Sequence, residues 1–245
     1  MSEQRKALVV GVGPERGLGA ALCRRFAREG HHVFASGRTQ ESLETVAAAI
    51  EAAGGSASAV VADATAEADV LQLFDSVEAA GSGRLDVVIS NAGNNAPGNL
   101  LEMEAEFFER VWRVGCLGGF LVGREAARRM LPKGGGTLLF TGATASLRGR
   151  PPFGAFASAK AALRSLAQTM ARDFGPQALH VAHVVIDGGI RGDKILKRMP
   201  QYAEQKGEDG MLDIDAIADA FWHLHSQQRS AWSHELDLRP FKETW

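Results

Sequence analysis

Short apolar runs alternate with amphipathic segments from one end of the chain to the other, and this alternation restricts the fold more than any other feature. The apolar runs read as strands at Ala7–Val12, His32–Ser36, Ala57–Ala62, Asp86–Ser90, Thr137–Thr141, Val181–Ile186 and Glu235–Leu238. Between them, apolar residues recur at helical spacing over Leu18–Glu29, Glu41–Ala53, Ala68–Ala80, Glu104–Met130, Ala155–Phe174 and Ile214–His225. A strand that is apolar along its whole length is covered on both faces. Repeated strand–helix alternation therefore predicts an α/β fold: a doubly wound parallel sheet of about seven strands with helices on both faces and right-handed crossovers. The 245 residues show no linker or internal repeat, so one domain over residues 1–245 is expected, with a polar, glycine-containing segment from Gly188 to about Leu212.

Charge and cysteine content exclude several classes of function. Lys plus Arg total 27 against 29 for Asp plus Glu, a net charge of −2, which gives no basis for nucleic acid as a partner. No uncharged apolar run reaches the length of a membrane span, about 18 residues, and Met1–Lys6 lacks the apolar region of a signal peptide. No membrane partner and a cytoplasmic location are expected. Cys23 and Cys116 are isolated from each other and lie in apolar helical stretches, so buried thiols are expected rather than a disulfide. No metal site is expected.

The first strand is followed by Gly13-Pro14-Glu15-Arg16-Gly17-Leu18-Gly19, which opens the first helix. Glycines there allow a tight turn and a close approach of pyrophosphate to the backbone. The helix N-terminus adds free N–H groups and the positive end of its dipole. Asp63 and Ala64 follow the third strand, and Asn91-Ala92-Gly93 follows the fourth. With these elements at three successive strand ends, the chain resembles the short-chain dehydrogenase/reductase family along nearly its whole length. The resemblance implies a Rossmann-type fold. It implies that Gly13, Arg16, Gly17, Leu18, Gly19, Asp63, Ala64, Asn91, Ala92 and Gly93 line a nicotinamide cofactor, with Asp63 bonding the adenine. Val12 departs from the family's usual threonine. The second strand ends in Ser36-Gly37-Arg38, with no acid before Glu41. Arg38 and Arg16 stand where family members that prefer NADP place arginine, and a guanidinium suits a 2′-phosphate, so the cofactor expected is NADP(H).

The family's catalytic tyrosine and lysine sit four residues apart on the helix after strand five, facing one way. Here that helix reads Phe156-Ala157-Ser158-Ala159-Lys160. Lys160 is kept, and the resemblance implies that it also bonds the nicotinamide ribose. Phe156 replaces the tyrosine and has no proton to give. The only tyrosine in the chain is Tyr202. The family's serine falls on Ala143 and its asparagine on Gly115. After strand six the family's Pro-Gly element reads Asp187-Gly188-Gly189-Ile190, where Gly188 and Ile190 would meet the carboxamide. Asp187 is read either as a turn residue or as a substitute acid. His183, in mid-strand, reads as a core histidine.

Two functions fit these residues. One is an NADP(H)-dependent oxidoreductase with a non-standard site, drawing its proton from Asp187, Thr144, Ser146, Tyr202, Lys160 or water. Its substrate would be a small, fairly hydrophobic carbonyl or conjugated molecule facing Leu147, Pro151, Pro152, Phe153, Phe156 and Met199. The other is a non-catalytic NADP(H)-binding sensor or partner subunit. Apolar residues on more than one face of Glu104–Met130 and Ala155–Phe174 point to a homodimer or homotetramer, with Phe241 and Trp245 as a second contact.

Overall fold

The structure, a computed structural model, describes residues 5–81, 83–93 and 95–243. Trp245, expected at an interface, lies outside them. Seven strands form one sheet: β1 (Arg5–Val10), β2 (His31–Gly37), β3 (Ser56–Val61), β4 (Arg84–Ser90), β5 (Gly136–Thr141), β6 (Leu179–Ile186) and β7 (Glu235–Leu238). Their spatial order is β3-β2-β1-β4-β5-β6-β7, and every neighbouring pair is parallel. The chain winds outward from β1 to β3, then returns to β4 and winds the other way. That reversal leaves a crevice between β1 and β4 at the carboxyl ends of the strands.

Two layers of helix cover the sheet because alternate strand residues point to opposite faces. On one side Ala7 and Val9 pack with Phe26 of α1 (Leu18–Arg28), Ile50 of α2 (Gln40–Ala52) and Phe221 of α9 (Ile214–His225). On the other, Leu8 and Val10 meet Phe74 of α3 (Glu67–Ala79), Val122 of α5 (Gly118–Met130) and Leu163 of α6 (Gly154–Phe174). Among the described residues, no helix is long and apolar enough to cross a membrane.

The structure departs from the sequence expectation at three places. β1 ends at Val10 rather than Val12, because Gly11 turns with φ +98° and the N–H groups of Gly11 and Val12 both donate to Ser36 O at 2.9 Å. The stretch expected as one helix over Glu104–Met130 is α4 (Ala105–Trp112) and α5, joined by a π-helical turn at Arg113–Leu117. The segment after β6 folds into two short helices, α7 (Asp193–Arg198) and α8 (Pro200–Lys206), and its ends are joined where Ile190 bridges Leu212. Cys23 and Cys116 are both buried free thiols.

Candidate active site

The turn after β1 is built from backbone contacts that leave no room for side chains. A Cβ on Gly19 would lie 2.8 Å from both Gly11 O and Val12 Cα, and one on Gly11 would lie 2.7 Å from Ala92 Cα. A Cβ on Gly13 would instead project into open space. Gly17 is the N-cap of α1 and Leu18 its first residue. The first turn carries no acid, while Arg25 and Arg28 lie in the last. An uncompensated positive helix end therefore faces an open cradle of glycine backbone, which fits a dinucleotide pyrophosphate. Asn91 fastens the cradle: its Nδ2 donates to Gly11 O at 2.9 Å and its Oδ1 accepts from Thr141 Oγ1 at 3.0 Å.

Arg16 and Arg38 are exposed at the rim of this cradle. The Arg16 carbonyl accepts from Asp193 N at 2.9 Å, so the start of α7 rests on the glycine turn. Lys194 of α7 donates to Asn95 Oδ1 at 2.6 Å, which carries the same segment across to the loop after β4. Asp63 Oδ1 accepts from the N–H and hydroxyl of Thr65. Burial pushes the Asp63 carboxyl up, but the bonds from Thr65 and the charges of Arg38 and Arg113 outweigh it and hold the group below its ordinary value. Arg38 thus lies within electrostatic reach of the end of β3. Ala64 packs near Gly118 at the start of α5.

Lys160 points into the centre of the site. Its side chain is 3 % exposed, and Nζ donates to Thr141 O at 2.7 Å. A Cβ on Gly93 would lie 3.1 Å from Nζ, so the lysine sits against the Asn91–Gly93 loop. Burial pushes its pKa down to about 8. Phe156 is half-buried one helical turn earlier on α6, and Ala143 is half-buried in the loop after β5. Gly115 lies in the π-turn, and a Cβ there would be 2.8 Å from Ala159 Cβ. In this packing of the two helices a side chain at 115 would collide with Ala159, a constraint that the sequence alone does not give.

Of the two readings of Asp187, turn residue and substitute acid, its surroundings favour the structural one. The residue is 1 % exposed, and its carboxylate accepts from Thr144 Oγ1 at 2.6 Å, Arg148 Nη2 at 3.0 Å and Arg239 Nη2 at 2.6 Å. Burial raises its pKa, but the Thr144 bond and the two guanidinium groups prevail and hold it low. A carboxylate kept ionised by two arginines does not donate a proton at neutral pH. Thr144 is committed to the same cluster. Gly188 beside it packs against Pro240, where a Cβ would lie 2.8 Å from Cδ.

Ser146 is also turned away from the crevice. Its Oγ accepts from Ala143 N at 3.1 Å and lies 3.3 Å from His183 Nε2. His183 Nδ1 in turn lies 3.3 Å from Glu235, which Arg164 grips through two bonds of 2.6 and 2.7 Å. Burial depresses His183 to about 4, so the ring is neutral in the core. Tyr202, on α8, approaches the loop after β6: a Cβ on Gly189 would lie 3.1 Å from its hydroxyl. The bracing role of Arg148, Arg164, Glu235 and Arg239 escaped the sequence reading. Their partners are 39 to 71 residues away, and no local pattern marks them.

Comparison with known proteins agrees with this geometry. The family model for short chain dehydrogenases matches residues 5–194. Versicolorin reductase 1 of Aspergillus parasiticus is 35% identical over 198 residues, covering 80% of this chain and 73% of that protein. A crystal structure of a short-chain dehydrogenase from Rhodopseudomonas palustris superposes with a TM-score of 0.82 at 40% identity, covering 97% of this chain and 99% of that one. An alcohol dehydrogenase from the archaeon Thermococcus sibiricus, complexed with 5-hydroxy-NADP, gives 0.84 at 26% identity, covering 98% and 99%.

The Asp187 cluster has a measurable cost of removal. Asp187→Asn leaves two guanidinium groups facing each other and is expected to lower unfolding stability at pH 7 by about 3 kcal/mol. A carboxyl held low in the fold contributes stability above its unfolded pKa, about 4, and loses it as pH falls. The gap between wild type and Asp187→Asn in urea titrations should therefore be full at neutral pH and close in acid. A gap that widened in acid would contradict the ion-pair role.

Proposed function

The chain belongs to the short-chain dehydrogenase family, and from that premise we propose that it is an NADP(H)-dependent reductase of a small, fairly hydrophobic carbonyl or conjugated substrate that works without the family's tyrosine. The observation that carries the proposal is the intact cradle with Lys160 seated in it, beside a phenylalanine in place of the phenol. When bound, the reduced nicotinamide supplies a hydride. The chain's part is to hold charge. Lys160, with a pKa of about 8, is mostly protonated at neutral pH in a site nearly closed to water. An ammonium there offsets negative charge growing on a substrate oxygen, and its proton is available to that oxygen. Reduction of a conjugated C=C bond suits this arrangement, since hydride goes to carbon and the resulting enolate takes its proton from water or Lys160. Exposed Leu100, Leu147 and Met199 and half-buried Phe156 give the substrate side an apolar surface.

The preference for NADP(H) rests on Arg16 and Arg38 and on the absence of an acid at the end of β2. NADPH is expected to bind at least about tenfold more tightly than NADH by calorimetry, a difference of ~1.4 kcal/mol that one arginine–phosphate contact supplies. Arg38→Ala should remove most of that preference. Equal affinities in the wild type would refute it.

Restoring two lost groups tests the catalytic reading. Phe156→Tyr with Ala143→Ser should raise NADPH-dependent reduction of an activated ketone by about tenfold or more, because an acid and a hydroxyl that act together return together. Adding Gly115→Asn should cost stability by ~1–3 kcal/mol, since α6 occupies the space. A wild type that already reduces simple ketones at the rate of the repaired variant would overturn the reading of Phe156 as a lost acid. Failure to turn over ketones, quinones and enones while binding NADPH would leave a cofactor-binding protein in place of an enzyme.

A homodimer or homotetramer completes the proposal. Phe108 on α4 and Leu100 and Leu101 just before it are exposed in the single chain. Light scattering at micromolar concentration should give at least twice the 26.1 kDa of the chain, and a 26.1 kDa particle would exclude it.

A further inference from the structure

We infer that His31, Asp86 and His225 form a binding site for a divalent transition-metal ion at the amino-terminal ends of the central strands, opposite the cofactor cradle. His31 opens β2, Asp86 is the third residue of β4, and His225 closes α9. The cradle, Asp63, Asn91 and Lys160 all gather at the carboxyl ends of the strands, so this cluster belongs to no part of that site.

Two of the three separations between the ligand atoms are those of donors around one ion. His31 Nε2 and His225 Nε2 each lie 3.3 Å from Asp86 Oδ2, and all three ligand atoms fall within 4.8 Å of one another. Charge-assisted N–H···O bonds close to about 2.7–2.9 Å, so 3.3 Å is loose for two histidines serving one carboxylate. It matches the edge of a tetrahedron whose corners sit ~2.0–2.1 Å from a central zinc, which is ~3.3–3.4 Å.

A second observation concerns ring orientation. His225 Nδ1 lies 3.0 Å from Thr137 Oγ1. When that hydroxyl accepts from Nδ1–H, the lone pair of Nε2 is left facing Asp86, as ligating histidines are normally held. Packing fixes both imidazoles. Phe26 and Trp222 stand 5.3–5.9 Å from each ring, and the two histidine rings are 5.5 Å apart at 71°. The site is only partly covered: His31 is fully enclosed, while Asp86 keeps 19% of its side-chain surface and His225 9%. An ion held there would keep water on its outer side.

The donor set chooses the ion. Two imidazoles and one carboxylate suit zinc, cobalt, nickel or copper, and do not suit calcium or magnesium, which take oxygen ligands. The three residues come from β2, β4 and the last turn of α9, so a bound ion ties the helix that leads into β7 to the centre of the sheet. No short motif announces the site, because its ligands are 55 and 139 residues apart in sequence.

The test uses the full chain stripped with a chelator and titrated with zinc chloride by calorimetry and thermal melting. One zinc per chain is expected, with a Kd on the order of micromolar or tighter. At ~100 times that concentration the melting midpoint should rise by about 5–10 °C. Asp86→Asn and His225→Gln should each weaken binding at least ~100-fold, and Thr137→Val by ~10-fold through the loss of ring orientation. His223→Gln, which removes an exposed histidine on the same helix, should change nothing. Cobalt should give the intense visible absorption of a four-coordinate complex in the wild type and lose it in His225→Gln. Circular dichroism and NADPH affinity report whether each variant is folded. If Asp86→Asn fails to fold, His225→Gln at the helix end decides. Absence of saturable zinc binding, or equal binding by wild type and folded His225→Gln, would overturn the inference.

Discussion

The side-chain amide of Asn91 holds three strand ends together at the point where the sheet reverses direction. Its N–H donates to the carbonyl of Gly11 beyond β1, and its oxygen accepts the hydroxyl of Thr141 at the end of β5. Its own backbone N–H donates to Val10 O at 2.8 Å. Thr141 in turn presents the carbonyl that receives Lys160. The glycine cradle and the buried lysine are therefore positioned by one continuous set of bonds, centred on a single amide. An amide suits this place because it carries a donor and an acceptor on one rigid plane.

A second frame braces the site from outside. β7 contributes Glu235 and is followed by Arg239, and each reaches a different loop. Arg239 joins Arg148 in fixing Asp187 after β6, while Glu235 connects Arg164 of α6 to His183 and hence to Ser146 after β5. The loops that border Lys160 are thus held by charged groups that never enter the crevice. Asp187, Thr144 and Ser146, polar residues at promising positions, all belong to this frame.

Much of this was legible in the sequence, for physical reasons. Strand periodicity and the placement of Gly13, Gly17 and Gly19 between a strand and a helix depend on neighbours in the chain, and each was read to within a few residues. Lys160 and Phe156 were equally readable, because helix spacing places them on one face. What escaped depends on distance in the chain. His183 was read from its mid-strand place as a core histidine and is one, but the partners that set Asp187, Arg148 and Arg239, are recorded by no local pattern. The two short helices after β6 were hidden by a polar composition that reads as loop. The π-turn in the long helix was hidden because Gly115 looks like a simple deletion of a side chain until Ala159 is seen against it.

That last contact limits what position 115 can become. With the Gly115 backbone facing Ala159 Cβ, where a Cβ would be only 2.8 Å away, the helix pair leaves no space for a side chain at 115. A single reversion to asparagine meets a wall, and space appears only if Ala159 is first reduced to glycine, at ~1 kcal/mol of helix stability. The two positions are therefore coupled through their contact. An asparagine placed at 115 is therefore felt first as a packing fault between two helices, and only afterwards as a polar group beside Lys160.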